Sequence, residues 1–279
     1  GYGKALADGK VDEILEKIAD LEAKGKYGDT LKLIAIGTDL ASDDENTKAL
    51  KDKLRALEKS IVDKAVAEGK AQEVIDAAKQ LIDADEEIPA AELLSLLDIK
   101  GNSTEARMMR NQIYALKKEA VKKAIENGRG NELLDAIAAM NERGNSVEAL
   151  ELLSYIEVKG EGEESDALRG RLSKLKEEAI DKAFEDGRQE EILGKAKQMI
   201  SDGDYNTALS FLSSVKAEGD DPESRAFRNS IKALKKDTVE RALAEGRIDD
   251  VFGTADFLNN NGDNAAALEL LSMINVAGN

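Results

Sequence analysis

Three oxygen-bearing side chains at alternate positions offer the clearest candidate for chemistry. Asp202, Asp204 and Asn206 lie in the stretch SDGDYNTALSFL, at the spacing that opens a calcium-binding loop. Such a loop also needs glycine at its sixth position and a bidentate glutamate at its twelfth. Counted from Asp202, those positions hold Thr207 and Ser213. Because both requirements fail, we interpret the stretch as a turn and predict no metal site there.

The other charged clusters give no catalytic or phosphate site. Asp43-Asp44-Glu45 and Glu161–Glu164 are acidic, and we interpret them as solvated loops and helix N-termini. KGEGEE has two glycines at phosphate-loop spacing but lacks the GK[ST] that should follow. A basic row is interpreted as pairing with acids one helical turn away; it comprises Lys117, Lys118, Lys174, Lys176, Lys235 and Lys236.

Composition excludes several classes of enzyme. The chain of 279 residues has no cysteine and no histidine. Their absence removes thiolate nucleophiles, cysteine- and histidine-based zinc sites, Ser-His-Asp triads and the usual proton shuttle near neutral pH. No nucleophile–base arrangement is visible among the remaining residues. We therefore predict a protein that is not an enzyme, with no catalytic, cofactor-binding or metal-binding residue.

Charge and hydropathy restrict the partners. The formal net charge of −17 would repel a phosphate backbone, so nucleic acid is not expected. A basic protein or peptide suits such a surface, and solubility alone also explains it. No run approaches the roughly 20 apolar residues that span a bilayer. The start, GYGKALADGK, lacks both the apolar centre of a signal peptide and an initiator methionine. We expect a soluble, processed chain of unknown compartment.

A repeat of about 59 residues runs through the chain and is marked by three series of glycines. The first series closes the pattern K/R-A-x-x-[D/E/N]-G-[K/R], with spacings of 60, 59, 59 and 59: Gly9, Gly69, Gly128, Gly187 and Gly246. The second follows sixteen residues later, with an aspartate in the second copy: Gly25, Asp85, Gly144, Gly203 and Gly262. The third comprises Gly101, Gly160, Gly219 and Gly278. Series that share one period indicate a repeat architecture.

Each repeat contains three segments with helical periodicity. The first is amphipathic, with apolar stripes such as Ile192, Leu193, Ala196 and Met199; Leu133, Leu134, Ile137 and Met140; and Val251, Phe252, Ala255 and Leu258. The second, as in ALSFLSSV, is apolar on more than one side, so we predict that it is the most buried. The third is about 20 residues long, with stripes Leu168, Leu172, Leu175, Ala179 and Ala183; Met109, Ile113, Leu116, Ala120 and Ala124; and Phe227, Ile231, Leu234, Thr238 and Ala242.

The glycines and the charged residues agree with this division. Glycine just past a helix end adopts the left-handed conformation at no steric cost, and the basic residue beside it suits the helix C-terminus. The start of each long helix should be capped and acidic, which fits Glu105, Glu164, Glu223, Ser165 and Ser224. The phenylalanines are predicted to be core residues: Phe184, Phe211, Phe227 and Phe257.

One three-helix unit cannot bury both faces of its helices, so the units must stack. The predicted fold is an all-α solenoid of stacked three-helix repeats, about fourteen helices in all. Because no linker rich in serine, proline or glycine interrupts it, we predict a single array over residues 1–279. Its units are approximately 1–61, 62–120, 121–179, 180–238 and 239–279, the last having only two helices.

The hairpin of the first two helices resembles a tetratricopeptide repeat. In ISDGDYNTALSFL, Gly203-Asp204-Tyr205 followed by Ala208 matches the inter-helix turn G-x-Y-x-x-A of that family, and Asp221-Pro222 resembles its terminating D-P. The family's unit has 34 residues and two helices, and its Trp/Leu-Gly start is missing here. The resemblance implies an array that binds proteins or peptides and assigns no ligand residue. Looser echoes are Gly25-Lys26-Tyr27, Gly144 with Ala149, and Gly262 with Ala267.

Two functions stay open at the level of sequence. The first is a non-enzymatic scaffold that binds a protein or peptide, for which no partner-binding residue can be named. The alternative is a structural or self-assembling protein, or a designed repeat without a ligand of its own. Terminal repeats normally carry polar caps, whereas ALELLSMINVAG near the end of the chain is strongly apolar. That segment predicts an exposed apolar face that a neighbour could cover.

Overall fold

The computed structural model describes residues 11–40 and 45–277, which form fourteen helices and no strand. Gly9, Asp43, Asp44 and Gly278 therefore lie outside the described residues. The first three repeats comprise α1 (Val11–Ala23), α2 (Tyr27–Leu40) and α3 (Glu45–Ala67); α4 (Ala71–Asp83), α5 (Glu87–Ser95) and α6 (Thr104–Glu126); and α7 (Gly130–Glu142), α8 (Ser146–Leu153) and α9 (Glu163–Glu185). The rest comprise α10 (Gln189–Ser201), α11 (Tyr205–Ser214) and α12 (Pro222–Ala244), then α13 (Ile248–Asn260) and α14 (Asn264–Ala277).

The predicted all-α fold of stacked three-helix repeats is confirmed. The third helix is 23 residues long in every complete repeat, and the first helix is 13 residues long in all five. Unit boundaries drawn near residues 61, 120, 179 and 238 fall inside the long helices, so whole helix triplets begin just after the first glycine series. The chain divides into two compact units, Gly1–Ala120 and Val121–Asn279, with the division inside α6.

The K/R-A-x-x-[D/E/N]-G-[K/R] pattern is explained by the end of each long helix. At the end of α9, Gly187 has φ +67° and its N–H donates to the carbonyl of Phe184. The N–H of Arg188 donates to the carbonyl of Ala183 at 2.7 Å. These two bonds form a Schellman motif, which requires a left-handed residue five positions before the next helix can turn away. Equivalent bonds join Lys70 to Ala65, Arg129 to Ala124, and Arg247 to Ala242.

The second series also adopts the left-handed conformation, including the copy without glycine. Asp85 has φ +60° and is the only non-glycine with positive φ among the described residues. Its N–H donates to the carbonyl of Ile82, as that of Gly203 donates to Ile200. The turn is therefore imposed by the packing of the two helices it joins, since an aspartate adopts the same conformation at some cost.

The second helix of each repeat is the most buried element, as predicted. Every residue of α11 except Asn206 is buried, and every residue of α8 except Glu148. α11 packs against α10 and α12 of its own repeat and against α13 of the next. The predicted core phenylalanines Phe211 and Phe227 are buried, and Phe184 packs edge to face on Phe227 with ring centroids 5.0 Å apart. Phe257 is only partly buried.

The caps of the long helices differ from those predicted. In α12 the cap is Asp221, whose carboxylate accepts the N–H of Ser224 at 2.9 Å and the hydroxyl of Ser224 at 2.6 Å. In α6 it is Ser103, which accepts the N–H of Ala106. Asp221-Pro222 therefore starts a helix and does not end a repeat, because proline is well suited to the first helical position. Ser165 caps nothing; its hydroxyl donates to the carbonyl of Lys159.

An arginine in each long helix holds the loop that precedes the helix. In α12, Arg228 donates to the carbonyls of Ala217 and Gly219, at 3.3 and 2.6 Å. Arg110 makes the same pair of bonds with Ile99 and Gly101, and Arg169 with Val158 and Gly160. The spacing of 59 residues between these arginines shows that the anchor is part of the repeat.

Replacing Arg228 with methionine should lower the free energy of unfolding by about 1–2 kcal/mol, because two carbonyls lose a charged donor. Arg225 is the matched control, since it lies on the same helix but is exposed. Its replacement with methionine should change stability by less than about 0.5 kcal/mol. Urea unfolding followed by circular dichroism measures both. Equal losses in the two variants would contradict the anchor.

Candidate functional site

The calcium-loop candidates lie at the junction of two helices, as the turn interpretation predicts. Asp202 ends α10 and accepts a hydrogen bond from Gln198 at 3.1 Å. Asp204 precedes α11, and its carboxylate accepts the N–H of Thr207 at 3.1 Å. Asn206 donates to the hydroxyl of Thr254 in α13 at 3.1 Å. The three side chains thus cap helices and join neighbouring repeats. Within the described residues, no group of three acids is placed to hold a metal ion.

The tyrosine of the G-x-Y-x-x-A turn is held by the end of the long helix. The hydroxyl of Tyr205 donates to Glu245 at 2.7 Å, and the guanidinium of Arg247 lies 4.7 Å from the ring centroid. Arg247 also donates to the carbonyl of Gly203. Burial of the ring raises the pKa of Tyr205, and the bond to Glu245 raises it further. The E-G-[K/R] sequence therefore fixes a tyrosine about 40 residues earlier.

The first repeat contains the same arrangement. The hydroxyl of Tyr27 donates to Glu68 at 2.9 Å, and Lys70 lies 4.8 Å from the ring centroid. The hydrogen bond from Tyr27 lowers the pKa of Glu68, and burial of the ring raises the pKa of Tyr27. Both tyrosines are spent on holding helices together, so neither is available to bind a ligand.

The third repeat lacks the tyrosine and uses the basic residue alone. Arg188 donates to the carbonyl of Gly144 at 2.6 Å and to the carboxylates of Glu148 and Glu191. The bond to Glu191 and the charge of Glu148 raise the pKa of Arg188 against the effect of burial. The basic residue of the motif thus binds the turn of the preceding hairpin, a role beyond the predicted effect on the helix dipole.

The lysine row divides into an outward and an inward series. Lys174 and Lys236 pair with acids one turn away, Glu178 at 3.5 Å and Glu240 at 3.7 Å, as predicted. For Lys117 and Lys235 the prediction of a solvated row is wrong, because both are buried. Lys235 pairs across helices with Glu269 of α14, at 2.9 Å. In each doublet, the first lysine faces inward because adjacent residues of a helix point about 100° apart.

The acidic clusters have no organised geometry in the described part of the chain. Glu161, Glu163 and Glu164 are exposed, and Glu163 begins α9. They lie at a helix N-terminus, where the dipole favours negative charge. A different carboxylate is fully buried: Glu151 of α8 forms an ion pair with Lys195 and accepts the hydroxyl of Tyr155 at 2.8 Å. This pair joins α8 to α10 of the next repeat.

Within the unit Val121–Asn279, the loop before α9 contacts the α13–α14 turn, two repeats further along. Asn261 accepts the N–H of Val158 and donates to the carbonyl of Ile156, both at 2.8 Å. Arg169 donates to the carbonyl of Asn260 at 2.8 Å. The Asn261 side chain thus acts like one residue of a neighbouring strand. Contact between the third and fifth repeats brings residues of three repeats together at one place.

Replacing Asn261 with alanine should cost about 1–3 kcal/mol of unfolding free energy, since a buried amide and carbonyl lose their partner. Amide exchange at Val158 should also become faster in this variant. Asn259 is the control because its side chain is exposed on the same helix. If Asn259→Ala destabilises the protein as much, or Val158 stays protected in Asn261→Ala, the bridge is not the cause.

Lys176 lies beside this contact, on α9 two turns after Arg169. Its side chain is partly buried and makes no hydrogen bond or ion pair with any described residue. Desolvation lowers the pKa of Lys176 to about 8; the carboxylate of Asp263 opposes this shift and the ammonium of Lys216 adds to it. Lys216 and Asp263 form an ion pair of 2.6 Å with one another.

Replacing Lys176 with methionine should stabilise the protein at pH 7 by about 1–3 kcal/mol. The lysine has a lower pKa folded than unfolded, so between about pH 8 and 10.4 the unfolded chain binds more protons and the wild type gains stability as pH rises. The advantage of the variant should therefore disappear by about pH 10.5. Urea unfolding at several pH values tests this, with the exposed Lys174→Met as control. A pH-independent difference would contradict the expectation.

The last repeat exposes apolar residues at positions that are buried elsewhere. Leu268 of α14 is 67% exposed, whereas Leu209 and Leu150, 59 and 118 residues earlier, are fully buried. Phe252 of α13 was predicted to lie in the apolar stripe, yet it is 45% exposed; its equivalent Leu193 is buried. The stripe is correct as a pattern, but no third helix covers it in this repeat. We call Phe252, Leu268 and the partly buried Leu271 the terminal face.

The terminal face is also uniformly acidic. Residues 248–277 contain five acids and no lysine or arginine: Asp249, Asp250, Asp256, Asp263 and Glu269. By contrast, the long helix α12 contains six basic and three acidic residues. The element that covers the equivalent face in the complete repeat before it is therefore a basic one.

Two features of these sites were missed in the sequence. The inward lysine of each doublet has a visible signal, because Glu58 and the three lysines recur at one position of the repeat. The contact of Asn261 with the loop before α9 has none, since it depends on how far the chain turns over two repeats.

Comparison with known proteins gives no family. No protein-family model matches the chain, and no curated protein matches it in sequence. One solved structure is similar, described as "Circular tandem repeat protein with novel repeat topology and enhanced subunit contact surfaces", with 15% identity and a TM-score of 0.33. The match covers 97% of this chain, which spans about 63% of the length of that protein. A TM-score this low carries no conclusion about function, and the tetratricopeptide resemblance is not confirmed. Among the described helices, none is long and apolar enough to cross a membrane.

Proposed function

We propose that this protein is a non-enzymatic helical-repeat scaffold that binds a basic amphipathic helix of a protein or peptide at the terminal face. The observation that carries the proposal is the exposure of Leu268 and Phe252, whose equivalents are buried between helices in the complete repeats. An exposed cluster with the side chains of an internal packing surface is suited to a further helix.

Charge defines the partner more closely. Since the last two helices carry only acids, a basic helix gains favourable electrostatics as it approaches. The protein's own long helices show what such a partner would look like: α12 buries Phe227 and Ile231 while presenting lysines and arginines around them. Recognition would therefore follow the mode in which an amphipathic helix lies in an apolar groove.

A synthetic peptide with the sequence of α12, residues 222–244, is the direct probe. It should bind the full chain, and Phe252→Glu with Leu268→Glu should weaken binding at least about tenfold, because each buried apolar side chain contributes about 1.5–3 kcal/mol. Fluorescence anisotropy of the labelled peptide measures this. Met108→Glu is the control, since Met108 is equally exposed but lies outside the terminal face.

The same experiment separates binding through the face from attraction by charge alone. A peptide of identical composition with its apolar positions scrambled should bind no better than a salt-sensitive background. If the scrambled peptide binds as tightly, or the double variant binds the native sequence normally, the proposal fails.

A second candidate function is self-association, because the terminal face of one copy could be covered by a long helix of another. Light scattering over micromolar concentrations distinguishes the two. A mass that rises with concentration in the wild type and not in Phe252→Glu with Leu268→Glu supports self-association, while a constant monomer mass leaves the peptide-binding function as the proposal.

A further inference from the structure

The inward position of the long helices is occupied by an ionisable residue in every complete repeat. The residues are Glu58, Lys117, Lys176 and Lys235, each 59 positions after the one before. Glu58, Lys117 and Lys235 are buried, and Lys176 is partly buried. A charged group removed from water in this way needs an opposite charge or loses its own.

In the last repeats the position is satisfied by a carboxylate. Lys235 donates to Glu269 of α14 at 2.9 Å. The first unit uses the same position of the second helix, since Arg55 of α3 lies 4.0 Å from Glu92 of α5, which is 177 residues before Glu269. For Lys176 the equivalent position, 34 residues later, holds Ser210 of α11. The carboxylate that a lysine at this place would bind is missing.

The charged groups around Lys176 do not replace it. Asp263 is the acid that faces it from the α13–α14 turn, and that carboxylate already binds Lys216 at 2.6 Å and accepts the N–H of Ala266. Lys216 faces it from the segment before α12 and repels a second ammonium. Along α9 the nearest inward charge is Arg169, also positive. Lys176 is thus a partly buried amine with one shared acid and two cations around it.

We propose that Lys176 is a nucleophilic amine site that takes small aldehydes and ketones. The neutral Nζ adds its lone pair to the carbonyl carbon, and a proton passes from nitrogen to the carbonyl oxygen to give a carbinolamine. Loss of water then forms the C=N bond, so that amine and carbonyl compound give imine and water with no change of oxidation state. Partial exposure admits the carbonyl compound, while the missing carboxylate leaves the amine without a group that would hold its proton.

The effect expected on reactivity is large. Desolvation that lowers the pKa of Lys176 to about 8 leaves roughly a tenth of it neutral at pH 7, on the order of a hundredfold more than for an ordinary lysine of pKa about 10.4. The matched control within the wild type is Lys174, which lies two residues earlier, is exposed and pairs with Glu178.

The test is labelling of the full chain with pyridoxal, followed by borohydride reduction and peptide mass spectrometry. Lys176 should be labelled at pH 7 at least about tenfold faster than Lys174, and its rate should rise with a midpoint near pH 8. Equal rates for the two lysines, or a midpoint above pH 10 for Lys176, would overturn the proposal without any variant.

Substitutions at Ser210 test the cause. Ser210→Glu restores the carboxylate found at Glu269 and should reduce labelling of Lys176 at least tenfold, whereas Ser210→Ala should leave it unchanged. Circular dichroism confirms that each variant is folded, and Ser210→Asp serves if the longer side chain prevents folding. Undiminished labelling in a folded carboxylate variant would show that the missing acid is not the reason for the reactivity.

Discussion

Burial of the second helix of each repeat is the constraint on which the rest of the structure depends. α8 and α11 are apolar on nearly every side, so neither their own first helix nor their own third helix can remove them from water alone. The first helix of the next repeat supplies what is missing. At roughly 25 cal/mol for each Å² of apolar surface, this shared burial exceeds any single polar contact in the chain. Repeats that depend on their neighbours in this way cannot be stable one at a time.

The polar contacts have a different task, which is to fix how one repeat follows another. Glycine in the left-handed conformation ends each long helix, and the basic residue after it binds the hairpin turn of the same repeat, as Arg188 binds Gly144 and Arg247 binds Gly203. Arginines such as Arg169 hold the intervening loop. These contacts are at least partly exposed, so each contributes little to stability. Together they determine the direction in which the next helix starts.

The two proposals arise where this regular scheme is incomplete. At the terminal face, α13 and α14 present a packing surface without the third helix that covers it in the complete repeats, and its residues are exposed and acidic. At Lys176, the inward lysine is present but the carboxylate of the facing helix has been replaced by Ser210. In each case the residue is ordinary for its position, and the unusual property comes from the absent neighbour. Irregularities of a repeat are thus the natural places to look for function.

The period, helix order, left-handed glycines and apolar stripes follow from the sequence, because each depends on residues within a few turns of one another. The basic residue of the motif, the caps and the inward lysines could be located only by position, not by partner. Tertiary structure alone decided that Phe252 is exposed although its stripe is apolar, that Asn261 binds the loop before α9, and that Lys176 has no ion pair. The reason is physical: these outcomes depend on distances between residues 34 to 105 positions apart. Such distances are set by how successive repeats pack, and no local pattern encodes that angle.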